Sequence, residues 1–466
     1  MGDELWRESA TTLAQRIRAR EVSSREVVES HLARIDAVNP LVNAVVEVRP
    51  EAALAEATRA DEVTAAGGAL GPLHGVPFTT KVCVDVAGYA SDEGTRALAD
   101  RVATEDAPIV ERLRAAGAVM LARTNMPDLG LRMNTESSRH GATHNPWRHG
   151  YTAGGSSGGE GAALATGMSP LGVGSDVGGS LRSPAFCCGV ASIKPSRGRV
   201  ARGNASAAGE VPFFEQWMLV DGVLARRVAD VRRGLEVTMG RHRRDPQSLD
   251  VPLHGPPAAR RVALVPEPAG GATDPGVAAA LRRAGAALEA AGYQVEERTP
   301  PRLIDAYWSW TELMMNGLAV YQDGTWPLLG DDARRFVELT TLELPPPSAA
   351  SLAAADERRY AVARAWREFL LEWPLVVGPT WTRPPFPHGF DVADQASALA
   401  VVEAVRFTVV ANVLGLPAAC APCGLLEGTP VGVQVMGDLM REDLCLDAAE
   451  VVERALAAST PIDPVA

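Results

Sequence analysis

The sequence predicts an α/β fold, a largely parallel β-sheet with helices packed on it, in two or three average domains or one large α/β unit. Three observations carry this. Of 466 residues, 46% are hydrophobic and 22% charged, which supplies a sizeable core and excludes a disordered or collagen-like chain. Short apolar runs of strand length alternate with amphipathic runs of helix length. Segment 150–180 holds 11 Gly in 31 residues, interleaved in order with Ser, Asp and apolar residues; it reads as a structured loop whose backbone makes close approaches.

Residues 1–65 read as a helical segment packing on the core. Ser23-x-x-Glu26 is a capping box, Val27, Val28, Leu32 and Ile35 share one face, and Asn39-Pro40 is expected to stop that helix. A second helix is expected from about 51 to 66, closed by Gly67-Gly68. Residues 66–240 form the expected chemical core: the apolar run GVPFTTKVCVDVAG, the helix IVERLRAAG and the strand AVMLART. The polar, Pro-rich stretch 241–260 is the expected surface linker. Residues 261–466 read as the remainder of the α/β domain. RVALVP is a strand, Asp274-Pro275 an N-cap with Pro at N1, 277–291 a helix closed by Gly292, and YQVEE a returning strand. Six of the nine Trp (Trp308, Trp310, Trp326, Trp366, Trp373 and Trp381) fall in 302–383, a helical substrate-side region. Singly they read as core; as a cluster they are candidate walls of an apolar pocket.

Net charge is −12, with 45 Lys plus Arg against 57 Asp plus Glu. An acidic chain argues against nucleic acid as a partner, because that binding rests on basic side chains neutralising phosphates. The positive charge is divided unevenly, with 43 Arg and two Lys, Lys81 and Lys194. Arg cannot deprotonate in a protein, whereas a desolvated Lys becomes a usable base. Six Cys are too few for a disulfide scaffold; Cys420-x-x-Cys423 has no second pair or nearby His, and AACAPCGLL reads as a small-residue turn. The N-terminus is charged and lacks an apolar signal core, and no window is long and apolar enough to span a bilayer. The expectation is a cytoplasmic protein with no membrane partner.

Nucleotide and metal chemistry find no motif. Neither Lys lies in G-K-[ST], Gly172-x-Gly174 lacks the third Gly of a dinucleotide fingerprint, and no H-E-x-x-H occurs. Gly154-Gly155-Ser156-Ser157-Gly158 satisfies G-x-S-x-G, but NPWRHGYTA precedes it where a nucleophile elbow needs a hydrophobic strand. A stronger constellation spans three segments: Lys81 at the end of an apolar run, Ser156 in the first Gly loop, and Ser180 in GSDVGGS. Successive backbone N–H groups around paired Gly, leading into a Ser, can converge on a developing oxyanion. A Ser nucleophile needs a base, and Ser–Lys is an alternative to Ser–His–Asp.

With these residues in hand, the chain resembles the amidase signature family of hydrolases. The matching text is GPLHGVPFTTKVCVDVAG, ARTNMPDLGLRMNTESSRHGATHNPW, and TAGGSSGGEGAALATGMSPLGVGSDVGGSLRSPAFCCGVASIKPSRGRV, with ANVLGLPAACAPCG and PVGVQVMG near the C-terminus. The middle is covered strongly and 240–400 loosely. The resemblance implies the amidase signature fold, an α/β single large domain with a mixed, mostly parallel, twisted β-sheet covered by helices on both faces, and a Ser–cis-Ser–Lys triad. Ser180 would be nucleophile, Ser156 the bridging Ser after a cis peptide, and Lys81 the base. The N–H groups of Val177, Gly178, Gly179 and Ser180 would form an oxyanion hole. Ser157, Asp176 and Arg182 would support the loop, and Lys194 would be structural. Cys83, where relatives carry a polar residue, and Val223, where Pro is typical, are departures that put local loop shape in question.

The resemblance implies hydrolysis of a carbon–nitrogen bond through an acyl-enzyme, without metal or organic cofactor. The expected partner is a small-molecule amide, anilide or carbamate, neutral and apolar or aromatic, with a homodimer as the candidate association. Two other classes stay open: the glutaminase subunit of a tRNA-dependent amidotransferase, and a catalytically silent binding protein on the same fold.

Overall fold

The computed structural model describes residues 4–465 apart from 207, 208, 211, 343, 345, 347 and 459. The first three residues of the charged N-terminal stretch lie outside the described residues. One eleven-stranded sheet runs through the molecule, in the order Val45–Val48, Val119–Thr124, Pro77–Lys81, Leu171–Asp176, Val220–Ala225, Ala191–Lys194, Ala418–Leu426, Thr429–Gly437, Leu375–Pro379, Arg261–Leu264, Gln294–Glu297. Helices cover its faces, and the chain forms one α/β domain, as the resemblance implies. The sheet is mixed. Parallel pairing occupies two blocks, around Pro77–Lys81 and around Arg261–Leu264. Between them the strands run antiparallel. Helices Gly158–Ala165 and Arg182–Cys188 pack on one another and on the sheet; Val228–Thr238, Pro275–Ala290 and Glu442–Leu456 form a second such group.

Local signals translate into elements where they are strong. Ser23 and Glu26 make both bonds of the capping box at the start of Ser24–Val42. Asp274 accepts from the N–H groups of Gly276 and Val277 at the start of Pro275–Ala290, and Pro50–Ala65 ends ahead of Gly67 at φ +69°. Two expectations are corrected. Pro40 does not stop its helix: it sits in the last turn, and the helix runs to Val42 before Asn43 takes the left-handed conformation. Asn39 caps this end through its side chain, accepting from Ala44 and Val45 N–H and donating to Val45 O. AACAPCGLL is not a turn but the strand Ala418–Leu426, buried from Ala418 to Ala421 on both faces, where only small side chains fit between helix and sheet. Its cysteines are free. Segment 241–260 is irregular and held down by Arg199, whose guanidinium donates to Val251 O and Pro252 O.

Two buried polar assemblies lock the region where the parallel block ends. The Arg182 guanidinium spends all five N–H donors: on Asp176 Oδ1 (2.9 Å) and Oδ2 (3.0 Å), Thr408 O (2.6 Å), Gln434 Oε1 (2.8 Å) and Asn412 Oδ1 (2.6 Å). Arg182 and Asp176 are both fully buried. Glu160, on the helix Gly158–Ala165, is buried against the sheet and accepts from Thr79 Oγ1 (2.7 Å) and Thr124 Oγ1 (2.8 Å). Burial pushes its carboxyl up to about 8, which the two hydroxyls only partly offset.

Each assembly makes a prediction. Arg182→Lys keeps the charge but cannot reproduce the planar fork, so urea denaturation should show a loss of about 3–5 kcal/mol. Glu160 keeps its proton in the fold at pH values where the unfolded chain, near 4.5, has released it. Stability attached to this proton is complete below about pH 4.5 and is lost as pH rises towards 8. Denaturation at pH 5 to 9 should therefore show the isosteric Glu160→Gln variant gaining on the native protein as pH rises; parallel curves would refute the assignment.

Candidate active site

Lys81 is the last residue of Pro77–Lys81, and Ser175 and Asp176 end the parallel neighbour Leu171–Asp176. Side chains at the carboxyl ends of adjacent parallel strands face a common crevice, the usual ligand position in open α/β sheets. Ser156 reaches this crevice from the Gly loop, where the Gly155–Ser156 peptide is cis. Gly155 is required by space: a Cβ there would lie 2.5 Å from Arg132 O and 2.6 Å from the carbonyl carbon of Met133.

Lys81 Nζ donates to Ser156 Oγ at 2.6 Å and to Ser175 Oγ at 3.1 Å, and is 1% exposed. Burial lowers its pKa, with Cys83, Asp176 and Asp221 pulling the other way, so the site favours a neutral amine over an ordinary Lys. Lys194 is equally buried but differently employed. Its Nζ donates to Pro195 O and Leu416 O, both at 2.9 Å, and burial lowers its pKa to about 7. Cys83, the first departure, places Sγ 3.7 Å from Ser175 Oγ and so extends the Lys81–Ser175 contact. Val223, the second, is a buried residue of Val220–Ala225 paired to both neighbouring strands.

The segment 176–181 is wound around the Asp176 carboxylate, which accepts from Gly179 N–H (2.7 Å) and Leu181 N–H (3.0 Å). Burial opposes the charge on Asp176, yet Arg182, with hydrogen bonds from Arg182 and Asn412, holds its pKa down to about 2. Gly179 takes φ +108°, a conformation that favours Gly. This winding corrects the four-donor expectation on one point: the Gly179 N–H is committed to Asp176. The N–H groups of Val177, Gly178 and Ser180 have no acceptor among the described residues. Ser157 supports the turn from below, donating its N–H to Ser180 O (3.3 Å) and its Oγ to Ser175 O (3.5 Å).

Two cavities meet at Ser180. One, of about 160 Å³, is lined by Lys81, Ser156, Ser175 and Ser180 with Cys83 and several charged residues. The other, of about 250 Å³, is lined by Ser180 and by Trp308, Trp310, Met314, Phe336 and Leu399, among others, none of them charged. The Trp cluster therefore divides. Trp308 and Trp310 wall the apolar cavity, while Trp366, Trp373 and Trp381 are buried in the core. Trp310 Nε1–H donates to Val177 O at 2.9 Å, tying this wall to the Ser180 loop. A more open groove of about 490 Å³, lined by Arg148, Tyr151 and Pro384 to Pro387, touches none of these residues. Among the described residues no group of three or more His, Cys, Asp or Glu could hold a metal ion, and no helix is long and apolar enough to cross a membrane.

Sequence reasoning brings Lys81, Ser156, Ser157, Asp176, Ser180 and Arg182 to one place. It misses Ser175, Glu160 and Asn412, and it names Trp310 only as one of six candidate pocket walls. Ser175 stood in the Gly loop with nothing to separate it from its neighbours, and the others act through contacts far away in sequence.

The family model described as Amidase matches residues 26–446. The chain is 41% identical over 455 residues to the indoleacetamide hydrolase of Bradyrhizobium diazoefficiens, covering 96% of this chain and 86% of that one. It is 33% identical to an acylamidase of Rhodococcus erythropolis, covering 95% and 94%. The solved structure of 6-aminohexanoate cyclic dimer hydrolase complexed with substrate superposes with a TM-score of 0.83 at 31% identity, covering 97% of each chain. The chain belongs to the amidase family and is an amide hydrolase of the amidase signature type.

Proposed function

We propose that the protein hydrolyses a small amide with an aromatic acyl group, of the arylacetamide type, through Ser180, Ser156 and Lys81. The observation that carries this is the juxtaposition at Ser180 of a buried Lys–Ser contact on one side and an uncharged aromatic cavity on the other. A dry cavity of about 150 Å³ takes a benzene ring, so about 250 Å³ suits a bicyclic aromatic group. Similarity to an indoleacetamide hydrolase supports the same class.

In this reading neutral Lys81 draws a proton through Ser156 as Ser180 Oγ attacks the amide carbonyl. The oxyanion settles on the N–H groups of Val177, Gly178 and Ser180. The proton returns through Ser156 to the nitrogen, the carbon–nitrogen bond breaks, and the amine leaves an acyl group on Ser180. Water then attacks that ester by the same relay, releasing the acid and restoring Ser180. Trp310 couples the two halves, because the ring that walls the acyl cavity also holds Val177 by its carbonyl. The glutaminase reading is disfavoured on chemistry. Glutamine carries an ammonium and a carboxylate on its acyl side, and the acyl cavity offers neither a partner among the described residues.

Incubation with indoleacetamide should release ammonia and the acid at a rate saturable in substrate. Ser180→Ala should fold normally and lower kcat by at least about 10⁴-fold. Substantial turnover by Ser180→Ala would overturn the assignment.

A further inference from the structure

The two cavities share Gly130, Leu131, Val177, Ser180, Met314 and Leu318, but Lys81 and Ser156 line only the smaller one. On the reading above, the leaving nitrogen must collect its proton from that pair. The amine half of the substrate therefore occupies the smaller lobe and the acyl half the larger. At about 160 Å³ the smaller lobe is several times what ammonia needs, taking a water-sized molecule at about 30 Å³.

Its charges are not balanced. Glu93, Arg202 and Glu215 line it beside Lys81. Glu93 is paired with Arg101 at 2.6 Å. Arg202 is held by Asp221, with Nε 3.3 Å from Oδ1, and lies 3.8 Å from Glu215 Oε2. Arg202 is thus committed to carboxylates and is no free anion site. Three carboxylates (Glu93, Glu215 and Asp221) face two guanidinium groups, and Glu215 has the most distant partner. Burial, and then the like charges of Glu93 and Asp221, push Glu215 above the ordinary range against the pull of Arg202. With Lys81 neutral, a cation in this lobe would relieve that excess. Phe214 and Tyr321 also line it, and aromatic faces favour a cation over an anion.

We propose that the smaller lobe is a subsite for an amine-bearing leaving group, so that the enzyme also cleaves secondary amides whose nitrogen substituent carries a second, protonated amine, with Glu215 setting that preference. The reaction is the same hydrolysis. The carbonyl carbon exchanges its bond to nitrogen for one to Ser180 Oγ, the nitrogen takes the relayed proton and departs as the diamine, and water displaces Ser180.

Three amides sharing one arylacetyl group and differing on nitrogen provide the test: N-(2-aminoethyl), N-propyl and N-carboxymethyl. At pH 7 kcat/KM should fall in that order, with at least about tenfold between the first and last, and Glu215→Gln should compress the ratio to about twofold. A carboxymethyl amide cleaved as well as the aminoethyl one, or a preference undiminished in Glu215→Gln, would overturn the proposal. Binding of the same three amides to Ser180→Ala, followed by titration calorimetry, should give the same order without turnover. If the unsubstituted arylacetamide is not hydrolysed, the acyl-side reading fails, while the order of binding still decides the charge preference.

Discussion

The ion pair between Arg182 and Asp176 is the constraint on which the rest of the site depends. Both residues are withdrawn from water, and the carboxylate meets its needs by drawing in the Gly179 and Leu181 N–H groups and the Asn412 amide as well as the guanidinium. Six residues of chain are thereby wound around one charged group. The winding brings Ser180 to the crevice and leaves the amides of Val177, Gly178 and Ser180 without acceptors among the described residues. The other end of Arg182 reaches Thr408, Asn412 and Gln434, so the loop that carries Ser180 is fixed by residues from the C-terminal part of the chain, of which Gln434 lies in the strand Thr429–Gly437. A buried pair that loses one member leaves an uncompensated charge, which is why the whole network stands or falls together.

A second constraint is burial of amines in a chain that otherwise uses guanidinium groups. Arg keeps its proton in any protein environment, so no Arg could serve where a neutral base is wanted. Lys81 and Lys194 are both desolvated, and the difference between them is their partners. Lys194 faces two carbonyl oxygens, which only accept, and acts as a clamp between Pro195 and Leu416. Lys81 faces two hydroxyls, which can give a proton as well as accept a hydrogen bond. The same physical effect, applied to two different neighbourhoods, yields a structural tie in one case and, in the other, a desolvated amine held against two hydroxyls, the arrangement on which the proposed proton relay rests. Glu160 shows the effect with opposite sign, as a carboxyl kept protonated beneath the strands that end at the site.

Much of this was legible in the sequence wherever the cause is local. Ser23 with Glu26 and Asp274 with Pro275 announce helix starts, because capping needs only residues three or four apart. The Gly-dense loops and the two Lys marked the reacting region, because backbone approach and desolvated amines are rare enough to stand out. What could not be read were pairings across the fold. These are the antiparallel centre of the sheet, the strand made of AACAPCGLL, and the contacts Thr79–Glu160 and Arg182–Gln434, which join residues 81 and 252 positions apart. Pro40 was misread because a tolerated Pro in a last turn and a helix-ending Pro look alike until the side-chain cap from Asn39 is seen. Trp310 differed from the other tryptophans only in which way its ring faces, and Gly179 from its neighbours only in where its N–H points.

In the proposed mechanism a neutral Lys81, acting through Ser156, activates Ser180. Peptide mapping after treatment with a broad serine-reactive fluorophosphonate tests this without knowledge of the substrate. A single adduct is expected, on Ser180, with its formation lost or slowed severely in Lys81→Ala. An adduct on Ser156, or labelling of Ser180 at an undiminished rate without Lys81, would contradict it.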